Sequence, residues 1–169
     1  GYHNIDHLLE VPLGTLLVGN SKHVHNLSAE DLKYLFVSAP GIGTDAGVIY
    51  MYEWSVGLDG STYDTWINCL TLASAEPGEG KRFGHRLEVS DDGNILAVSS
   101  TASGQAGKVE IYRRTSQSND DSVQHAFTLV QTLQGTSADG SSLNTKFGDA
   151  LTMSKDGTTL IIGAPGYDN

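Results

Sequence analysis

The chain has 169 residues and carries 10 Lys+Arg against 20 Asp+Glu, a formal net charge of −10. That balance excludes nucleic acid and anionic membrane surfaces as main partners, because both are held by basic patches. Cys69 is the one cysteine, so an intrachain disulfide and a thiolate zinc site are excluded. No run approaches the roughly 20 apolar residues of a membrane helix, so no membrane insertion is expected. The length suffices for one domain with a sizeable core. The first residue is Gly1 rather than Met, so the chain reads as a mature or excised segment and its lack of a leader carries no weight.

Residues 1–13 (GYHNIDHLLEVPL) are weakly patterned and stand apart as an N-terminal segment. A first unit covers residues 14–72. It begins with a short predicted strand at 14–18 (GTLLV), followed by an insertion at 19–33 in which Ser28-Ala29-Glu30-Asp31 has the form of a helix start, with one turn at 29–33. A buried strand is predicted at 34–38 (YLFVS). After a loop at 39–46, the β-branched and aromatic content of 47–52 (GVIYMY) predicts another strand. A polar loop at 55–63 and an outer strand at 65–72 complete the unit.

The second unit, residues 83–133, begins with Phe83-Gly84. Leu87 and Val89 alternate with Arg86, Glu88 and Ser90, the period of a half-buried strand. Asp92-Gly93 supplies a turn, since Gly takes positive φ without steric cost and Asp can bond its own backbone. The apolar run at 95–98 predicts a strand covered on both faces. A strand at 107–112, a polar loop at 115–124 and an outer strand at 126–133 follow. The third unit, residues 147–169, repeats Phe147-Gly148, the alternation at Leu151 and Met153, the Asp156-Gly157 turn and the apolar run at 160–162.

These units are copies. Residues 147–166 (FGDALTMSKDGTTLIIGAPG) align without a gap with residues 83–102 (FGHRLEVSDDGNILAVSSTA), 64 positions earlier, and YLFVSAPG at 34–41 matches TLIIGAPG at 159–166. Ile49, Met51 and Tyr52 correspond to Val109, Ile111 and Tyr112. Such a period marks a repeat architecture. Ten short strands result, grouped four, four and two, with no long helix. The expectation is an all-β chain of β-propeller-type, four-stranded antiparallel blades repeated about two and a half times.

The set Phe-Gly, Ser-x-Asp-Gly, a buried aliphatic strand, Gly163-Ala164-Pro165 and a Gly-x-Val-x-x-Tyr strand resembles the FG-GAP repeats of the integrin α-subunit N-terminal propeller and related extracellular repeat proteins. Phe147-Gly148 with Gly163-Ala164-Pro165 carries the whole name-giving motif. Phe83-Gly84 keeps its first half, and Ser38-Ala39-Pro40 most of its second. The resemblance covers residues 14–169 and implies propeller blades, an extracellular or cell-surface location and a role in adhesion. It departs from the integrin type at the first turn of each blade, where that family often has a calcium loop. Asp91-Asp92-Gly93-Asn94 and Lys155-Asp156-Gly157-Thr158 are too short to wrap about six oxygen ligands round the ion. It departs also in number, since propellers close with about four to eight blades.

Asp45, Asp59 and Asp64 can bind calcium, against the plainer reading of turns with solvent-facing carboxylates. His3, His7, His23 and His25 lack the companions that complete a metal site and read as solvated loops. Asn26-Leu27-Ser28 is an N-glycosylation sequon, meaningful in a secreted protein of a eukaryote, and the Ser/Thr tracts at 115–118 and 136–142 can carry O-glycans. Tyr50, Trp54, Tyr63 and Trp66 can offer a carbohydrate-stacking platform, against the reading of space-filling side chains. Cys69 reads as a small buried hydrophobe.

No paired carboxylates in a recognisable frame, nucleophile elbow or phosphate loop is found, so no enzyme and no cofactor are expected. The reading is a non-catalytic extracellular structural or adhesion building block whose partners are other protein chains or copies of itself, and glycans. Its loops and open strand edges would make the contacts. The alternative is a propeller module that binds carbohydrate or calcium.

Overall fold

A computed structural model describes residues 16–17, 34–55, 65–101, 106–115, 117–119, 122–136 and 145–166. Residues 1–13, the insertion at 19–33 with Asn26 and its helical turn, and the residues Tyr63, Asp59 and Asp64 lie outside them, as do His3, His7, His23 and His25.

In chain order the elements are β1 (Leu16–Leu17), β2 (Tyr34–Ala39), a one-turn helix α1 (Ile42–Asp45), β3 (Val48–Ser55), β4 (Thr65–Ala73), β5 (Phe83–Val89), β6 (Ile95–Ser100), β7 (Lys108–Arg114), β8 (Gln117–Asn119), β9 (Ser122–Gln124), β10 (Phe127–Gln134), β11 (Ala150–Met153) and β12 (Leu160–Gly163). The first four strands form one sheet in sequence order, β1-β2-β3-β4. A second sheet has the order β10-β7-β6-β5, and β11-β12 and β8-β9 are two-stranded. Every pairing is antiparallel. The chain is all-β, and its sheets are open. The helical turn α1 is interrupted by left-handed φ at Gly43 and Thr44 (66° and 57°). Among the described residues no helix is long and apolar enough to cross a membrane.

Two expectations need correction. Residues 115–124 are not a loop throughout, because β8 and β9 pair there as a hairpin with Asn119 opposite Ser122. This raises the strand count from ten to twelve among the described residues. The ladder there is made by backbone groups, which a polar sequence hides. The run at 160–162 is not covered on both faces, since Ile161 is 64% exposed.

Cross-strand register assigns the faces. On the first sheet Phe36 lies opposite Met51 and Ser38 opposite Ile49, all facing the second sheet. On the second sheet Leu96 lies opposite Tyr112 and Ala97 opposite Ile111. Leu96, Val98 and Tyr112 face back into the first core with Phe83 and Leu87. Ala97 and Val109 face forward into a smaller core with Met153. The sheets therefore stack face to face, and the alternation along β6 and β7 serves two different cores.

Candidate functional site

Each Ser-x-Asp-Gly segment folds into the same hydrogen-bonded turn. Ser90 Oγ donates to Asp92 Oδ1 at 2.6 Å and accepts from the Ile95 amide at 2.9 Å. Ser154 Oγ does the same with Asp156 Oδ1 at 2.6 Å and the Thr159 amide at 2.9 Å. The Asp carboxylates also accept from the Asn94 and Thr158 amides. Partial desolvation pushes the Asp92 carboxyl up, but the donors Ser90 and Asn94 outweigh it, helped by Arg114, and hold it below the ordinary carboxylate value. The Ser154 hydroxyl and the Thr158 donors lower Asp156 likewise. These carboxylates organise turns, Gly93 and Gly157 supplying the positive φ (68° and 72°). The turns also meet each other, since the Asp91 amide donates to the Lys155 carbonyl at 2.8 Å, a contact between equivalent positions.

Phe-Gly makes the junction between sheets, and it does so twice with the same atoms. The Phe83 amide donates to the Ala46 carbonyl at 3.0 Å and the Phe147 amide to the Ala106 carbonyl at 2.9 Å. Gly47 and Gly107, which follow those alanines, have φ of 82° and 80°, and a Cβ on either would overlap the carbonyl oxygen of Phe83 or Phe147. Only glycine lets the two backbones approach so closely. Gly84 then lies over Ser38 and Ile49, and Gly148 over Ser99 and Val109, where an added Cβ would come within 2.9 Å of Ile49 and 2.7 Å of Ser99. The residue before each Phe, Arg82 or Lys146, takes left-handed φ (53° and 51°). That conformation strains a side-chain-bearing residue, and its recurrence marks a fixed latch.

Polar pairs staple the sheets beside this latch. Glu110 on β7 is 1% exposed and accepts from Ser74 Oγ at 2.8 Å and Lys108 Nζ at 3.3 Å, so a serine just after β4 reaches a carboxylate of the second sheet. His125 Nε2 meets Glu53 Oε2 of β3 at 3.1 Å. The His125 ring stands edge-on to Tyr34, with centroids 5.5 Å apart, and the Arg114 guanidinium lies 4.5 Å from the Tyr34 ring centre. His85 Nε2 and Asp149 Oδ1, again equivalent positions in successive units, are 3.0 Å apart. Burial and the nearby charge of Glu110 raise the Tyr112 phenol far above its usual range. Burial, reinforced by Glu53, pushes the Cys69 thiol up to about 11, and its Sγ points at the Met51 carbonyl at 3.3 Å. A thiol so placed is half-buried and poorly nucleophilic at neutral pH.

Of the remaining sequence candidates, Asp45 is exposed in the α1 turn, where its carbonyl accepts from the Arg82 amide at 2.7 Å. No group of three or more His, Cys, Asp or Glu able to hold a metal occurs among the described residues. Tyr50 and Trp66 are half-buried on neighbouring strands of the first sheet. Gly163 ends β12, Ala164 and Pro165 follow it, and the Gly163 carbonyl accepts from the Gly148 amide at 2.9 Å. The motif's two halves thus meet at the base of one hairpin. Sequence reading overlooked the alanine-glycine pairs before β3 and β7 and the basic residue before each Phe-Gly. Their signal was present in the repetition of Ala46-Gly47 as Ala106-Gly107 and of Arg82 as Lys146.

One surface differs from its equivalents. Phe36, Ala97 and Ile161 occupy the same repeat position and are 3%, 0% and 64% exposed. The first two are covered by the unit that follows. Met51, on the third strand of the first sheet, is 1% exposed, whereas its counterpart Ile111 is half-buried; among the described residues the sheet over Met51 has four strands and the one over Ile111 has two. No family model, curated protein or solved structure gives a significant match to the chain.

Proposed function

We propose that the chain is a non-catalytic, extracellular or cell-surface building block of adhesion or assembly, made of FG-GAP-like propeller blades that join other chains through loops and open strand edges. The observation that carries the reading is the junction itself. A latch of Phe-Gly on Ala-Gly stacks one sheet on the next twice over, and Ile161 of the third unit is exposed where its counterparts Phe36 and Ala97 are buried. Blade-like stacking that runs on from unit to unit suits propellers and extended arrays alike. The polar side chains of the junctions pair with one another across the sheets, which is the chemistry of stapling. The test is light scattering of the purified chain at micromolar concentration, with electron microscopy of the same sample. Rings, filaments or discrete oligomers are expected. A folded monomer of 18.0 kDa across the concentration series contradicts the proposal.

A further inference from the structure

Four Asp-Gly pairs occur in the chain, and two of them, Asp92-Gly93 and Asp156-Gly157, lie among the described residues. An Asp-Gly bond is chemically fragile, because glycine has no side chain to shield its amide nitrogen. That nitrogen can attack the aspartate Cγ: a C–N bond forms, a carboxyl C–O bond breaks, and the oxygen leaves as water with the amide proton. Water then opens the cyclic imide at either carbonyl and returns aspartate or isoaspartate, in which the main chain runs through the side chain. Mass is unchanged overall, and water is the one co-reactant. The first step needs a protonated carboxyl group, a glycine amide free of other bonds, and room for the carboxyl to swing onto it.

Both turns withhold all three. The Gly93 amide donates to the Ser90 carbonyl at 2.8 Å and the Gly157 amide to the Ser154 carbonyl at 2.9 Å. Asp92 Oδ1 accepts from Ser90 Oγ at 2.6 Å and the Asn94 amide at 2.9 Å, and its Oδ2 from Asn94 Nδ2 at 2.7 Å. Asp156 Oδ1 accepts from Ser154 Oγ at 2.6 Å, the Thr158 amide at 3.1 Å and Thr158 Oγ1 at 2.9 Å. Such donors favour the ionised carboxylate, whose oxygen does not leave as water. Each serine also anchors the carboxylate to the next strand, since Ser90 Oγ accepts from the Ile95 amide and Ser154 Oγ from the Thr159 amide. We infer that the serine of each Ser-x-Asp-Gly turn guards its Asp-Gly bond against rearrangement to isoaspartate. This goes beyond the assembly proposed above and does not depend on it. An isoaspartate would add one main-chain atom inside hairpins closed by the Ser90 amide on the Ile95 carbonyl and the Ser154 amide on the Thr159 carbonyl, both at 2.9 Å. The two guards are unequal. Asp156 Oδ2 has no donor among the described residues, so Asp156 is the faster of the two to react.

The test ages the full 169-residue chain in warm, near-neutral buffer beside synthetic peptides of residues 87–97 (LEVSDDGNILA) and 151–161 (LTMSKDGTTLI). Isoaspartate at each position is counted by proteolysis and electron-transfer fragmentation mass spectrometry. Its formation at Asp92 and Asp156 is expected to be at least about tenfold slower in the chain than in the peptides, because reaction waits for the turn to open. Ser90→Ala should speed the reaction at Asp92 several-fold and leave Asp156 unchanged, and Ser154→Ala should do the reverse. Ser154→Thr keeps the hydroxyl and should age like the native chain. Equal rates in the native chain and the peptides overturn the inference, as does a Ser90→Ala or Ser154→Ala chain that ages like the native one. A rise at both positions from either single change also overturns it, because the chain has then loosened as a whole. Where Ser90→Ala does not fold, Ser154→Ala, at a half-buried position, decides the matter alone.

Discussion

The two junctions use one backbone latch and two different fillings. At the first, Phe83 is fully buried, sits edge-on to Tyr112 with centroids 6.2 Å apart, and shares a core with Phe36, Ile49, Met51 and Leu96. Glu53–His125 and Ser74–Glu110 cross the same gap. At the second, Phe147 is half-buried, and the fully covered part of the core is Ala97, Val109 and Met153. Close approach of backbone is thus demanded identically at both latches, while the side chains that fill them differ. The repeat is conserved within the molecule at its glycines and free to differ at its core. Stability should therefore be uneven along the stack.

The sharpest way to break this comparison is to put a methyl group into the latch. Gly47→Ala should cost about 4 kcal/mol or more, because the Cβ overlaps Phe83 and the φ is left-handed. Chemical denaturation should show the whole chain weakened. Gly107→Ala inserts the same atom at the second junction, and there the β11-β12 hairpin should detach while the first core keeps its cooperative transition. Next in size, Phe83→Ala should lose about 3–4 kcal/mol, as a fully buried aromatic does. Phe147→Ala should lose about half as much, and equal losses would mean that the two junctions are equally strong. Glu110→Ala follows, at about 2 kcal/mol, since it leaves Ser74 and Lys108 short of a buried acceptor. The lesion lies in the first junction and should leave hairpin exchange unchanged.

The smallest effect belongs to the turns. Asp92 and Asp156 have folded-state values below the unfolded one, so their contribution is complete above pH of about 4 and is lost as pH falls through the folded values. Denaturant midpoints between pH 6 and pH 2 should decline in the acid range. The double variant Asp92→Asn, Asp156→Asn should flatten part of that decline.

Much of this was readable in the chain. The alternation at Leu87 and Val89, the Asp-Gly turns and the apolar runs each specify local backbone, and their repetition at 64 residues told that the units are alike. The latch was half readable: Phe-Gly stood out, but its seat on Ala-Gly lies on a different strand and emerges only when sheets stack. The hairpin β8-β9 was hidden because its ladder is backbone and Val123 is the one apolar residue of the two strands. The pair His85–Asp149 needs two residues a full repeat apart to meet, which no local pattern announces. Ile161 read as buried because it lies in the apolar run with Leu160 and Ile162; alternation instead turns those two, half-buried, toward the core with Ala97 and Val109 and leaves Ile161 64% exposed.

The two latches are the same bond at different depths of stability, and native-state hydrogen exchange at the Phe83 and Phe147 amides tests that most directly. Both amides donate across a junction, to Ala46 and Ala106. Protection of both is predicted, with Phe83 exchanging only through global unfolding and Phe147 through a cheaper opening that releases the hairpin. Rapid exchange at either amide, or a Phe147 protected as strongly as Phe83, would contradict it.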